Sequence, residues 1–225
     1  ELTVLTPEII RVFQDRGNAS NSYAIEGDKE IKTDFDVEDK GDYAEITTEK
    51  LTVKAYDDEK IDVYDEKGDP LIIDYRGSRT PIDRQMDKEH LKLAESEGHD
   101  VKKLLGMHDE NYYEIIKTLA SDEQFYGLGD KTGFLNKRHY AYDNWNTDNP
   151  DPQVESFTRL YKSIPILLGI KNGHPYGIFF DNTYRNHIDL GKESNNYYYY
   201  SAVDGNIDYY IIGGDSLKEV ITNYT

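Results

Sequence analysis

Apolar and polar residues alternate with a period of two along much of this chain, which leaves few folds open to it. Residues 51–55 (LTVKA) set Leu51, Val53 and Ala55 on one face and Thr52 and Lys54 on the other, as a half-buried strand does. Residues 61–64 (IDVY) repeat the pattern, residues 65–70 (DEKGDP) interrupt it, and residues 71–74 (LIID) return to apolar residues. This predicts a hairpin in which Gly68 supplies a positive φ and Pro70 opens the returning strand. Further strands are predicted at 8–13 (EIIRVF), 163–170 (SIPILLGI), 176–180 (YGIFF), 197–201 (YYYYS) and 207–212 (IDYYII), with turns at 171–174 and 204–206. Many short strands joined by Gly- and Asn-rich turns predict a mainly β chain folded as an antiparallel β-sandwich.

Two segments depart from that period. Residues 87–97 (DKEHLKLAESE) read as a helix stopped by Gly98, within an insertion over roughly 80–108. Ser216 and Glu219 make a capping box, and Leu217, Val220, Ile221 and Tyr224 form one apolar stripe at helical spacing. The 225 residues fit one sandwich domain, and the helix at 214–225 reads as the lead into a following domain.

Charge and composition remove several functions. No run of eighteen apolar residues is present to span a membrane, and no signal-peptide pattern opens the chain. Cysteine is absent, which excludes disulfides, thiolate metal sites and cysteine nucleophiles and fits a cytoplasmic setting. The net charge is −18, and residues 26–69 hold 17 acidic residues against 7 lysines. Such a surface repels a phosphate backbone, so nucleic acid is not expected as a partner. The acidic face reads as a solvated one.

Residues 125–148 (FYGLGDKTGFLNKRHYAYDNWNTD) read as an exposed loop that gathers three glycines, several aromatics and the only tryptophan. Flat aromatic surface beside short hydrogen-bonding side chains suits a pyranose, which offers C–H faces and a ring of hydroxyls. No G-x-S-x-G elbow supports a serine hydrolase. Gly127 and Gly129 begin a dinucleotide fingerprint, but Gly133 falls one place late. The six histidines lack H-x-x-x-H spacing, so no metal site is predicted. Asp143 and Asp148 flank Trp145 and are the most site-like carboxylates. From the residues alone two readings stay open. Trp145 is a sugar platform between acceptors, or it fills a core or interface pocket while the carboxylates cap turns. The tyrosine run at 197–200 reads as strand packing.

The chain resembles the N-terminal β-sandwich of family 31 glycoside hydrolases, the α-glucosidase group. The resemblance is carried by FYGLGDKTGFLNKR at 125–138, WNTDNPDP at 145–152, LYKSIPILLGI at 160–170, YGIFFDNT at 176–183 and the G-x-x-DYY-x-I-G pattern at 205–213. It implies a galactose mutarotase-like supersandwich preceding a (β/α)8 barrel. That barrel supplies an aspartate nucleophile and an aspartate acid/base for a retaining mechanism. WNTDN is not the nucleophile motif of the family, so the catalytic aspartates are expected outside these residues and this chain alone is expected to be inactive. What carries over is a loop shaping the sugar pocket at the barrel mouth. Trp145, Asn146 and Asp148 are the implied substrate contacts, with Asp143 and Asn144 behind them. The expected partners are an α-linked oligosaccharide and the enzyme's own barrel, with no organic cofactor or metal. The surface meant for the barrel invites self-association into homo-oligomers. The rival readings are a stand-alone carbohydrate-binding or structural module, and an aldose mutarotase using a carboxylate with His139, His174 or His187.

Overall fold

The computed structural model describes residues 1–19, 22–26, 33–79, 92–93, 95–98 and 111–225. Among these residues, three antiparallel sheets account for the strands. One has six strands in the order β1 (Leu2–Thr6), β2 (Ile9–Gln14), β15 (Ile207–Ile212), β12 (His174–Phe180), β11 (Ser163–Lys171) and β9 (Gln124–Gly129). The second has four, in the order β10 (Ala141–Asn144), β13 (Asn186–Asp189), β14 (Tyr197–Ala202) and β8 (Tyr113–Thr118). The third is a meander of β3 (Asp36–Asp39), β4 (Tyr43–Thr47), β5 (Leu51–Tyr56), β6 (Ile61–Asp65) and β7 (Pro70–Ile73). The predicted hairpin at 65–70 is there, with Gly68 at φ +85° and Pro70 as the first residue of β7.

Aromatic side chains bring the six- and four-stranded sheets face to face. Phe180 on β12 stacks on Tyr200 of β14 with ring centres 4.0 Å apart, and Phe125 on β9 meets Tyr198 at 4.9 Å. Ile10, Leu167, Ile178 and Ile211 are fully buried in the same core. Each such side chain contributes about 1.5–3 kcal/mol by leaving water. All six residues of β14 are buried because both of its faces are covered. Tyr198 and Tyr200 enter the core. On the opposite face Tyr197 donates to Glu193 at 2.6 Å, and Arg79 lies over the Tyr199 ring at 4.0 Å.

The five-stranded sheet is tied to the other two by polar contacts as well as by its apolar face. Thr48 Oγ1 donates to the Pro7 carbonyl at 2.6 Å, and Tyr75 N donates to the Ile116 carbonyl at 3.1 Å. One buried ammonium joins all three sheets. Lys117 of β8 donates to Asp74, just after β7, and to the Tyr209 hydroxyl of β15 at 3.3 Å.

The closing helix runs Leu217–Tyr224, and Ser216 Oγ accepts from Glu219 N at 3.2 Å. Glu219 reaches back to Asp215 N at 3.0 Å, one residue earlier than a regular capping box. Val220 sits in a notch left by Gly177 of β12, where a Cβ would come 2.9 Å from Val220 Cγ1. Tyr224 packs on Phe179 with ring centres 5.3 Å apart. Ile221 was expected on the buried stripe but is exposed. It lies one position on, about 100° around the helix from Val220, beyond the contact with the sheet. Of the helix predicted at 87–97, residues 92–93 and 95–96 are helical, Glu97 N bonds the Leu93 carbonyl at 3.0 Å, and Gly98 has φ +80°. The remainder of that segment and of the 80–108 insertion lies outside the described residues. Among those described, no helix is long and apolar enough to cross a membrane.

Candidate functional site

The segment 125–148 is not the single exposed loop its composition suggests; it begins and nearly ends in strand. Phe125 and Leu128 of β9 are fully buried, and Ala141–Asn144 form β10. The period-two signal is lost because Gly127, Leu128 and Gly129 take positive φ values of 97°, 68° and 79° in succession. Their backbone also presses against β11. A Cβ on Gly127 would stand 2.5 Å from the Ile166 carbonyl oxygen, so only glycine fits.

The polar residues after β9 brace backbone. Asn136 Oδ1 accepts from Phe125 N at 3.1 Å and Arg138 N at 3.0 Å. Arg138 donates to the carbonyls of Ala120 at 2.7 Å and Glu123 at 2.8 Å, and Lys137 Nζ to that of Thr132 at 3.0 Å. Glu123 is itself buried under Tyr176. Burial raises its carboxyl above the usual range, against the hydrogen bonds from the Tyr176 hydroxyl and the Ala120 amide. These residues hold the platform from which β10 and its following loop project.

The candidate side chains separate into two groups. Asp143 and Asn144 lie on opposite faces of β10, and each engages a side chain of β13. Asp143 Oδ1 meets His187 Nδ1 at 2.9 Å across the β10–β13 pairing, and its Oδ2 lies 3.4 Å from Arg185. Burial would raise this carboxyl, but the hydrogen bond and charge of His187, with Arg185 and Arg159, hold it below the ordinary value. Asn144 is buried and donates to Asn186 Oδ1 at 2.7 Å. Nearby, Lys131 Nζ lies 3.4 Å from the Asp143 carbonyl, and burial pushes its amine down to about 8 despite Asp143 and Asp130.

Trp145, Asn146 and Asp148 stand on the stretch leaving β10. Trp145 is 50 % exposed, and Asn146 and Asp148 are exposed as well. Asn146 Oδ1 accepts from Ser163 N at 2.8 Å, and Thr147 N donates to the Leu160 carbonyl at 2.9 Å. Tyr161 donates to the Asn149 carbonyl at 2.8 Å. The loop is thus laced to residues 160–163, and it presents an indole and a carboxylate outward. Phe134, Leu135, Val154, Tyr161 and Ile164 of the same region are also exposed.

The histidines of the mutarotase reading are dispersed. His139 Nδ1 lies 3.0 Å from the Gly191 carbonyl, His174 lies between Asp65 and Asp69, and His187 is on Asp143. Sequence reasoning missed Lys131, Arg185 and the Asp143–His187 contact. Only the β10–β13 register, which has no local sequence signal, joins residues 143 and 187.

The pattern of the "Glycosyl hydrolase 31 N-terminal galactose mutarotase-like domain" matches residues 1–189. Alpha-glucosidase 2 of Bacillus thermoamyloliquefaciens is 35% identical over 147 residues, covering 65% of this chain and 18% of that protein. Alpha-xylosidase XylQ of Lactiplantibacillus pentosus is 31% identical over 115 residues, or 51% of this chain and 14% of its own length. The Flavobacterium johnsoniae dextranase complexed with glucose superposes with a TM-score of 0.76 at 30% identity, over 99% of this chain and 24% of that one. The chain therefore spans about a fifth of the length of such relatives. It belongs to glycoside hydrolase family 31, as that family's N-terminal galactose mutarotase-like domain.

Proposed function

We propose that this domain serves an α-glucosidase-type retaining hydrolase by docking on its catalytic barrel and lending Trp145 and Asp148 to the sugar pocket. The observation that carries the reading is the exposed indole and carboxylate on a loop fixed by the Asn146–Ser163 hydrogen bond. The indole would cover the C–H face of a glucosyl unit, and Asp148 would accept its hydroxyl hydrogens. Asn146 positions the loop. Asp143, engaged with His187, would set the base of β10 without touching sugar. The two carboxylates that break the glycosidic bond would come from the barrel. The exposed apolar side chains near 134–164 support the docking part of the reading.

The test uses an enzyme carrying this domain, assayed with maltose and isomaltose. Trp145→Ala and Asp148→Asn are each expected to lower kcat/KM by about 10- to 100-fold, losses on the order of 1.4–2.7 kcal/mol of transition-state stabilisation. Unchanged kinetics in both variants would remove the loop from the pocket. The 225-residue chain by itself is expected to show no turnover. Hydrolysis by the pure chain, abolished by a point change within it, would overturn the assignment.

A further inference from the structure

We infer that Asp65, Asp69 and His174 form a binding site for a divalent transition-metal ion of the zinc class, at the joint between the five- and six-stranded sheets. Asp65 ends β6, Asp69 lies in the turn before β7, and His174 opens β12. One ligand atom from each lies within 4.8 Å of the other two. His174 Nδ1 is 2.8 Å from Asp65 Oδ2, and Nε2 is 3.5 Å from Asp69 Oδ2. A tetrahedral ion with bonds of about 2.1 Å holds neighbouring ligand atoms about 3.4 Å apart. The Nε2–Asp69 pair is close to that spacing, and an Asp65 oxygen belongs to the same set of ligand atoms within 4.8 Å of one another.

The surroundings hold these ligands in place. Asp65 Oδ1 accepts from Lys67 N at 2.9 Å and Asp69 N at 2.8 Å, which fixes the turn and leaves Oδ2 facing the ring. Asp122 Oδ2 accepts from Asn172 N at 2.7 Å and anchors the turn that presents His174. A cavity of about 270 Å³ lined by Lys50, Asp65, Gly173, His174 and Asp215 adjoins the ligands and gives room for water in the remaining positions. Lys50 faces Glu66 at 3.0 Å and Asp215 at 3.8 Å, so its charge is answered there and does not compete for the site. One imidazole and two carboxylates neutralise a dication. The mixed nitrogen and oxygen donors favour zinc, cobalt or manganese over calcium, which takes six to eight oxygens. Motif spacing does not reveal the site, because its histidine and its aspartates lie on different sheets.

Calorimetric titration of the metal-stripped chain with zinc chloride tests this. One saturable site is expected, with a rise in the thermal midpoint that EDTA reverses. His174→Ala and Asp69→Asn should each weaken binding at least about tenfold, whereas Asp42→Asn, at a distant exposed turn, should not. If His174→Ala fails to fold by circular dichroism, Asp69→Asn in its exposed turn carries the comparison. Absence of saturable binding, or binding unchanged in the folded variants, would overturn the site and assign any bound zinc to the diffuse acidic surface.

Discussion

Replacing Lys117 by Met should show how much of the assembly of three sheets rests on one charge. Lys117 is 2 % exposed and Asp74 8 %. Burial would lower the lysine's pKa, but Asp74 and the Tyr209 hydroxyl raise it instead, so the ammonium is charged throughout the working range. In Lys117→Met the methionine fills the volume, while the Asp74 carboxylate loses its cation and keeps the Ile61 amide at 2.7 Å. Stranding one partner of a buried pair costs about 3–5 kcal/mol, and the surviving amide bond places the expected loss near the lower end, at about 3 kcal/mol. With a urea m-value of about 2–3 kcal/mol/M, the unfolding midpoint should fall by about 1–1.5 M. Lys117→Met/Asp74→Asn should recover part of this, to a net loss of about 1–2 kcal/mol, because no charge is left alone. A single-variant loss below about 1 kcal/mol, or a double variant less stable than the single, would refute the argument that the pair is held by mutual neutralisation.

Other expectations follow from backbone and charge. Gly127→Ala should destabilise the chain by about 2–4 kcal/mol, from its positive φ and the encounter with the Ile166 carbonyl. Gly68→Ala has a similar φ but open space around the new methyl, and should cost only about 1 kcal/mol when the two variants are compared by urea unfolding. The Asp143 carboxyl is depressed in the folded chain, so its contribution is present above its unfolded value of about 3.9 and is lost as pH falls through the folded one. Asp143→Asn should therefore flatten the acid limb of stability against pH below about 4. An acid limb unchanged by the substitution would show that the His187 contact does not act through charge.

Where one face of a strand meets water, the sequence announces it. β5 alternates, the turn at 65–70 carries the glycine its geometry requires, and Ser216 caps the closing helix. The signal fails where both faces are covered or where backbone conformation replaces alternation. β9 is disguised by three successive positive φ values, and β10 and β13 are too short for a period to register. The candidate site was legible as a composition, an indole with acids and amides, but not as a division of labour. Asn144 and Asp148 read alike in the sequence, yet one is buried against Asn186 and the other faces solvent. That difference is set by the parity of residues along β10 and by where the strand stops.

The pairing of β2 with β15 has a consequence for synthesis. Arg11 and Asp208 form a two-point ion pair, with bonds of 2.8 and 2.6 Å, between residues 197 apart in the chain. On a ribosome adding about 5–20 residues per second, β2 emerges roughly 10–40 s before the strand it must pair with. During that interval β1 and β2 can form only a hairpin, and the opposite edge of β2, with Ile10 and Val12 on its core face, has no partner. The five-stranded meander, by contrast, pairs each strand with its sequence neighbour and can close as soon as it emerges. The nascent chain would therefore carry a finished acidic meander beside an unfinished sheet, and the meander's repulsive surface would keep neighbouring chains apart until β15 arrives.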